Sequence, residues 1–428
     1  FFQDFVEIYG LDDFDNSMKA LEVFTIDSSS EFAIRAFILR YEDKTMNQMK
    51  IWSQSENEHL RRLASEGCRP RLPWAIALPK FKKEPIRVLE IIELLKNSKA
   101  LSSKEIFDTV HPEISYSTLK RILTKLVDLQ LLSFIGNGKA RKYTISESYD
   151  LFYPIDVETY YKKEIDERII KNRFNESLLK KVLPNIDIFT TEELKKLNAL
   201  QEEYAENILN ISNTEYAKEL DRLAIDLSWK SSQIEGNTYS LLETERLLKE
   251  QETALGKKKD EAVMLLNHKA AIDFIVKTPN YVFPLSLSKI EDIHSLLIKD
   301  LGVDRNIRKR RVGISGTNYQ PLDNEYQIRE ALEQMCLLIN NKVNVFEKAF
   351  LILVLISYIQ GFSDGNKRTA RILSNAVLVH FDYCPISFRT VNSINYKKAM
   401  LLFYEQNNVT AIKEIFINQF EFAVQTYF

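Results

Sequence analysis

Residues 358–371 read YIQGFSDGNKRTAR. They overlap the end of the most apolar run of the chain, AFLILVLISYI from Ala349 to Ile359, and lead into a second apolar run, ILSNAVLV. Spanning a bilayer takes roughly 20 apolar residues, so the first run reads as a buried helix. A glycine-bearing turn that enters a helix presents unpaired backbone N–H groups at the positive end of the helix dipole, which suits an anion. Lys367, Arg368 and Arg371 add fixed positive charge to that turn. Arg368 and Arg371 stand at i and i+3 and share a helix face. Asp364 would repel a bare phosphate, and fits one better where a divalent cation such as magnesium bridges the two. The residues therefore point to a nucleotide-phosphate site. The competing reading is a charged helix cap in which Asp364 pairs internally with an arginine.

Gln360, Phe362, Asp364, Gly365, Asn366, Arg368 and Arg371 fall on the pattern H-x-F-x-[DE]-G-N-G-R-x-x-R, and here the sequence resembles the Fic (Fido) family. That resemblance implies a helical Fic fold, ATP and Mg as cofactors, and transfer of AMP to a Ser, Thr or Tyr hydroxyl of a protein target. It puts Gln360 at the position of the catalytic histidine, Asp364 on the metal, and Gly365, Asn366, Lys367, Arg368 and Arg371 on the phosphates. The segment RRVGISGTNYQPL, Arg310 to Leu322, alternates and reads as a short β-hairpin. It corresponds to the family's flap, where Gly313, Ile314, Ser315, Gly316 and Thr317 would align a target segment by strand addition. Ser231 to Asn237, SSQIEGN, matches the family's inhibitory pattern [ST]-x-x-x-E-[GN]. By resemblance Ser231, Glu235 and Gly236 form that motif. Glu235 would ion-pair with Arg371, as a carboxylate and a guanidinium do well, and leave ATP in a non-productive pose.

Two positions depart from the family pattern. Lys367 replaces the second glycine, and Asn-Lys-Arg there is similar to the related Doc branch, whose members phosphorylate a target. Gln360 replaces the histidine that takes the proton from the attacking hydroxyl. An amide is not basic enough near neutral pH to do so. His294 and His380 are placed in the site by nothing in the sequence. The expectation is an Mg-ATP-binding protein, self-inhibited by Glu235, with AMP transfer weakened or altered. The alternative is a non-catalytic, nucleotide-sensing regulator.

The fold expected is mainly α and multi-domain. Residues 1–83 form a helical segment, 84–148 a winged helix-turn-helix, 149–222 a helical connector and 223–428 the Fic domain. In the first segment His59, Arg61, Arg62, Ser65, Glu66, Gly67, Arg69, Pro70, Arg71, Leu72, Pro73 and Trp74 resemble the HEAT-like repeats of the DNA-alkylation-repair family. In the second, IRVLEIIELLK, SSKEIF and SYSTLKRILTKLVDLQLL read as helices, and Gly136-Asn137-Gly138 as a hairpin turn. Ser102 or Ser103 with Glu105, and Ser115, suit helix starts. Lys120, Arg121 and Lys125 on the third helix, with Lys139, Arg141 and Lys142 on the wing, are the DNA-binding candidates. In the connector, DVETYYKKEIDERIIKNRF and FTTEELKKLNALQEEYAENIL read as amphipathic helices.

Composition bounds these readings. The 428 residues carry a formal net charge of −2, so any nucleic acid must be met by a local basic patch. No two of the five histidines stand at a zinc-binding spacing. Cys68, Cys336 and Cys384 are far apart, which suits a reducing compartment. No secretory leader pattern stands at Phe1, where the first residue is not Met. The sequence leads us to expect a cytoplasmic protein that meets a protein target, and DNA through the winged helix, with no membrane; a homodimer is compatible with it.

Overall fold

A computed structural model describes residues 2–69, 86–98, 100–110 and 115–428. Pro70, Arg71, Leu72, Pro73 and Trp74 lie outside the described residues, as does the side chain of Lys139. The chain is mostly helical and divides into two compact units, Phe1–Ile122 and Leu123–Phe428. The division falls within the helix Tyr116–Asp128.

The first unit opens with five helices, Phe2–Tyr9, Phe14–Asp27, Ala33–Arg40, Glu42–Trp52 and Glu58–Glu66. Their apolar faces enclose Leu21, Ile34, Phe37, Met49, Trp52 and Leu63. Gly67 is required by close approach, because a Cβ there would lie 2.7 Å from Ile34 Cγ2 and 2.8 Å from Met49 Cε. The one arginine of this bundle that is fully buried is Arg35, whose Nη1 donates to Gly67 O (3.0 Å) and Arg69 O (2.8 Å). Arg61 and Arg62 stay exposed; Arg62 reaches Glu31 at 3.2 Å.

The helices expected after residue 84 form as Ile86–Lys96, Ser103–Val110 and Tyr116–Asp128. Ser102 and Glu105 cap each other reciprocally, Ser102 N to Glu105 Oε2 at 2.7 Å and Glu105 N to Ser102 Oγ at 3.2 Å. Ser115 Oγ accepts from Thr118 N. In the second unit Leu132–Ile135 pairs antiparallel with Lys142–Ile145, in the register Phe134↔Tyr143.

The core of the second unit is the helix Val345–Ile359, hereafter the central helix, buried from Phe346 to Ile359. Helices Glu325–Asn341, Asn366–His380 and Ser393–Gln406 pack around it. Helices Asn213–Ile234, Lys259–Lys277 and Leu287–Ile298 in turn pack on Asn366–His380, the cationic helix. That is why a helix bearing two arginines can be buried: its polar groups are answered by neighbours.

Two expectations need correction. DVETYYKKEIDERIIKNRF is not an amphipathic helix. Only Val157–Tyr160 and a 3-10 turn at Ile165–Glu167 are helical, and the chain then runs extended. Its polar groups bond outward instead of along a helix: Lys171 N donates to Glu405 O at 2.7 Å, and Arg168 pairs with Glu405. FTTEELKKLNALQEEYAENIL does form a helix, Thr191–Leu209, started by a Thr190–Glu193 capping box. The segment 310–322 is a reversing loop with a turn at Ser315–Gly316 and no strand ladder between its limbs. The Arg308 guanidinium sits between those limbs, donating to Arg310 O (2.8 Å) and to Leu322 O.

Candidate functional site

The central helix ends at Gln360, which takes a left-handed conformation (φ 53°, ψ 55°). A non-glycine residue there is uncommon and needs support. Arg308, itself buried, supplies it by donating from Nε to Gln360 O (2.6 Å) and from its backbone N to Gly361 O (3.0 Å). The Gln360 side chain does not project as a proton acceptor. Its Nε2 donates to Ser357 O (2.7 Å) and its Oε1 accepts from Asn366 Nδ2 (3.1 Å). Asn366 also bonds both polar groups of the Phe362 backbone, accepting from N (2.9 Å) and donating to O (2.8 Å). Gln360, Asn366 and Phe362 thus form a closed, buried corner.

Behind the corner lies His294, fully buried and stacked on Phe362 with ring centroids 3.7 Å apart. Gly365 (φ +80°) passes so close that a Cβ there would lie 3.2 Å from His294 Cε1. Burial pushes His294 down to about 4, so it is neutral near pH 7. It supports the loop from beneath.

The cationic helix begins at Asn366, with Gly365 at its N-cap and no side-chain cap. Asp364 Oδ1 accepts from Gly365 N (2.6 Å) and Oδ2 from Arg368 Nη2 (3.1 Å). The internal Asp–Arg pairing weighed from the sequence therefore forms. The Asp364 carboxylate is still 64% exposed. Arg371 faces the helix Asn213–Ile234, where its Nε donates to Ser231 Oγ (2.7 Å) and its Nη2 to Ser231 O (3.1 Å) and Glu235 Oε1 (2.9 Å). The second Glu235 oxygen, Oε2, lies 3.5 Å from Lys367 Nζ. Glu235 is bridged between two cations, one per oxygen. Burial would raise its carboxyl, but Arg371 and Lys367 outweigh burial and hold it below the ordinary carboxylate value.

Ser231 Oγ also meets His268 Nε2 at 2.7 Å. Burial, with Arg371 and Arg368 adding to it, drives His268 well below its ordinary value. Ser231 Oγ thus stands between the Arg371 guanidinium, which donates to it, and a neutral His268 ring. The Arg371 guanidinium lies over the Tyr396 ring at 5.5 Å.

The structure therefore brings Gln360, Asp364, Gly365, Asn366, Lys367, Arg368 and Arg371 together with Ser231 and Glu235. Gly236 follows Glu235 at φ +101°, turning the chain out of the helix. Gly313, Ile314, Ser315, Gly316 and Thr317 lie on the reversing loop that Arg308 ties to Gln360. Lys120, Arg121 and Lys125 are exposed on their helix. Arg141 lies 3.9 Å from the Phe134 ring centroid, and Lys142 is exposed. His268, His294 and Arg308 were missed from sequence. The histidines are single residues in apolar helices, and Arg308 is lost in the basic run RNIRKRR. Among the described residues no helix is long and apolar enough to cross a membrane, and no cluster of three acidic, His or Cys ligands could hold a metal unaided. A cavity of about 300 Å³, lined by Phe152, Ile188, Lys413 and Ile417 among others, shares no residue with the loop.

Residues 284–378 match the sequence model of the Fic/DOC family. The Bacillus subtilis (strain 168) protein YhaZ is 45% identical over 127 residues, 30% of this chain and 35% of that protein. The chain thus spans about a third of that relative's length. Fic-1 (aa134 - 508) from C. elegans shares 20% identity over 55% of this chain and 72% of its own, with a TM-score of 0.49. The Pseudomonas fluorescens alkylpurine DNA glycosylase AlkC shares 39% identity over 29% of this chain and 35% of its own, with a TM-score of 0.21.

Proposed function

Starting from a chain that belongs to the Fic/DOC family through residues 284–378, we propose that it binds Mg-ATP at the start of the cationic helix and that Glu235 holds it closed. The observation carrying this reading is the Glu235 carboxylate bridged between Arg371 (2.9 Å) and Lys367 (3.5 Å). A carboxylate there stands where a phosphate group would be welcome, at a helix N-terminus with no side-chain cap. The donor set fits a magnesium nucleotide. One exposed carboxylate, Asp364, suits an ion that takes most of its ligands from phosphate and water. Bound magnesium would neutralise charge on the triphosphate oxygens. Arg371 and Lys367 would hold phosphate oxygens once Glu235 withdraws, and Arg368 would keep Asp364 oriented.

Transfer of AMP to a protein hydroxyl is the activity we assign to this site, in reduced form. Gln360 cannot accept the hydroxyl proton, and general-base help is typically worth about 10²–10⁴ in rate. Its amide is also committed to Ser357 and Asn366. That commitment favours a second reading, a nucleotide-sensing regulator acting through the winged helix on DNA or a protein. Titration with Mg-ATP, followed by incubation with α-labelled ATP and lysate, separates the two. Glu235→Gly should bind Mg-ATP about tenfold tighter than wild type, a gain of ~1.4 kcal/mol. Label should enter protein only when Gln360→His is added. Binding by neither form would remove both readings. Binding without labelling by the double variant would leave the regulator.

A further inference from the structure

The reversing loop 310–322 is held in two different ways. Its ends are gathered by Arg308 onto Gln360 and Gly361. Its second limb is held by a segment lying some 150 residues earlier, Asp166–Arg173, which leaves the 3-10 turn Ile165–Glu167 and runs on from Arg168 as an extended strap. Gln320 N donates to Asn172 O at 2.8 Å, and Arg173 and Gln320 form a parallel bridge. Asn318 Nδ2 donates to Asp166 Oδ1 at 2.8 Å. Arg168 Nη2 donates to Gly316 O at 2.9 Å. Arg168 is anchored in turn: its Nη1 lies 3.0 and 3.2 Å from the two Glu405 oxygens, and both side chains are almost wholly buried, at 3% and 1% exposure. Glu405 also accepts from Tyr160 OH at 2.7 Å, and the guanidinium lies over the Tyr161 ring at 5.0 Å.

A buried ion pair is maintained only where hydrogen bonds satisfy both partners. Here the guanidinium spends Nη1 on Glu405 and Nη2 on the loop, while Nε has no partner among the described residues. We propose that the strap is a built-in strand which fixes the loop beside the Gln360 corner, with Arg168 as a positioning residue. The second limb's edge is then already taken, and an extended peptide can add only along the first limb, Arg311–Ser315. What the loop does for a target rests on the reading above; the clamp itself does not.

Hydrogen exchange of the full chain tests the clamp without any activity. Arg168→Gln alone strands the Glu405 charge, so the informative form is Arg168→Gln with Glu405→Gln. The Gln320 amide, which bonds the strap, and the Tyr319 amide beside it should exchange at least about tenfold faster, while those of the central helix keep their protection. If Mg-ATP binds, its affinity in the Glu235→Gly background should be unchanged by the pair of substitutions, while KM for a protein target rises when the pair is added to the Glu235→Gly, Gln360→His form. Unchanged exchange at Tyr319 and Gln320 would overturn the proposal. So would a uniform loss across the second unit, which would make Arg168 an ordinary core contact. Should that form not fold, Asn318→Ala, at an exposed position, is read the same way, with several-fold faster exchange expected at Gln320. A chain that binds no nucleotide yet shows the local loss would keep the clamp and discard the nucleotide reading.

Discussion

The Gln360 corner and the Glu235 latch lie on the same loop–helix junction and are held by opposite means. The side chains of the corner are closed by neutral hydrogen bonds between residues three to six positions apart, Gln360 to Ser357 and to Asn366, while the Arg308 guanidinium holds the Gln360 carbonyl from 52 residues away. The latch joins Glu235 to Arg371 across 136 residues and to Lys367 across 132, and it is charged. The corner is fully internal and offers nothing to a ligand. The latch ends in a carboxylate held by two cations, and in the function proposed above an anion replaces it. Under that proposal the neutral local bonds shape the loop and the charged long-range pair sets whether it opens.

The largest effect should come from striking the latch on its buried side. Arg371→Met leaves Glu235 facing Lys367 alone, and breaking a buried pair by removing one partner costs about 3–5 kcal/mol. Urea midpoints at constant m-value would read it. A loss no larger than that of an exposed pair would erase the distinction between latch and corner. Asn366→Ala should cost the corner about 1–3 kcal/mol, since the Phe362 N–H and C=O lose their bonds to Asn366. This loss, read by the same midpoints, should be insensitive to salt, and that of the latch nearly so, because a buried pair is screened far less than an exposed one.

A pH series sharpens the comparison further. His268 and His294 are both depressed, so below about pH 6.5 the unfolded chain takes up protons that the folded one refuses. Their contribution is fully present above the unfolded value and is lost on acidification, at ~1.4 kcal/mol per pH unit per histidine. His268→Gln should remove one such slope between pH 6.5 and 5; an unaltered slope would mean that His268 is not buried neutral. The Glu235 carboxyl, held low, should keep the latch charged through the same interval and lose it only below the ordinary carboxylate range. Lys367→Ala should have the smallest effect on stability, below about 1 kcal/mol, because both partners are partly exposed, at 25% and 20%. It should still raise Mg-ATP affinity less than Glu235→Gly does, since it removes a cation along with the contact.

Much of the cradle was legible because its causes are local. The apolar run followed by Asp-Gly-Asn read as a buried helix, a glycine-bearing turn and a new helix start. Ser102 with Glu105, and Ser115, marked helix starts, and each caps its helix in the structure. The Ser231–Glu235 motif could be matched, although its partner was supplied by resemblance and not by the residues themselves.

By itself, then, the sequence determined the buried central helix and the cationic helix after it, since a continuous apolar run and helix-start signals act within a few residues. Only the tertiary structure decided that Gln360 turns its amide inward, that Lys367 shares Glu235 with Arg371, that His268 stands behind Ser231, and that the 156–173 segment abandons helix for a strap. Each of these depends on a partner 37 to 237 residues away, or on a choice between two hydrogen-bond acceptors. No local period encodes such a choice, because it is made by whichever arrangement leaves the fewest buried polar groups unanswered.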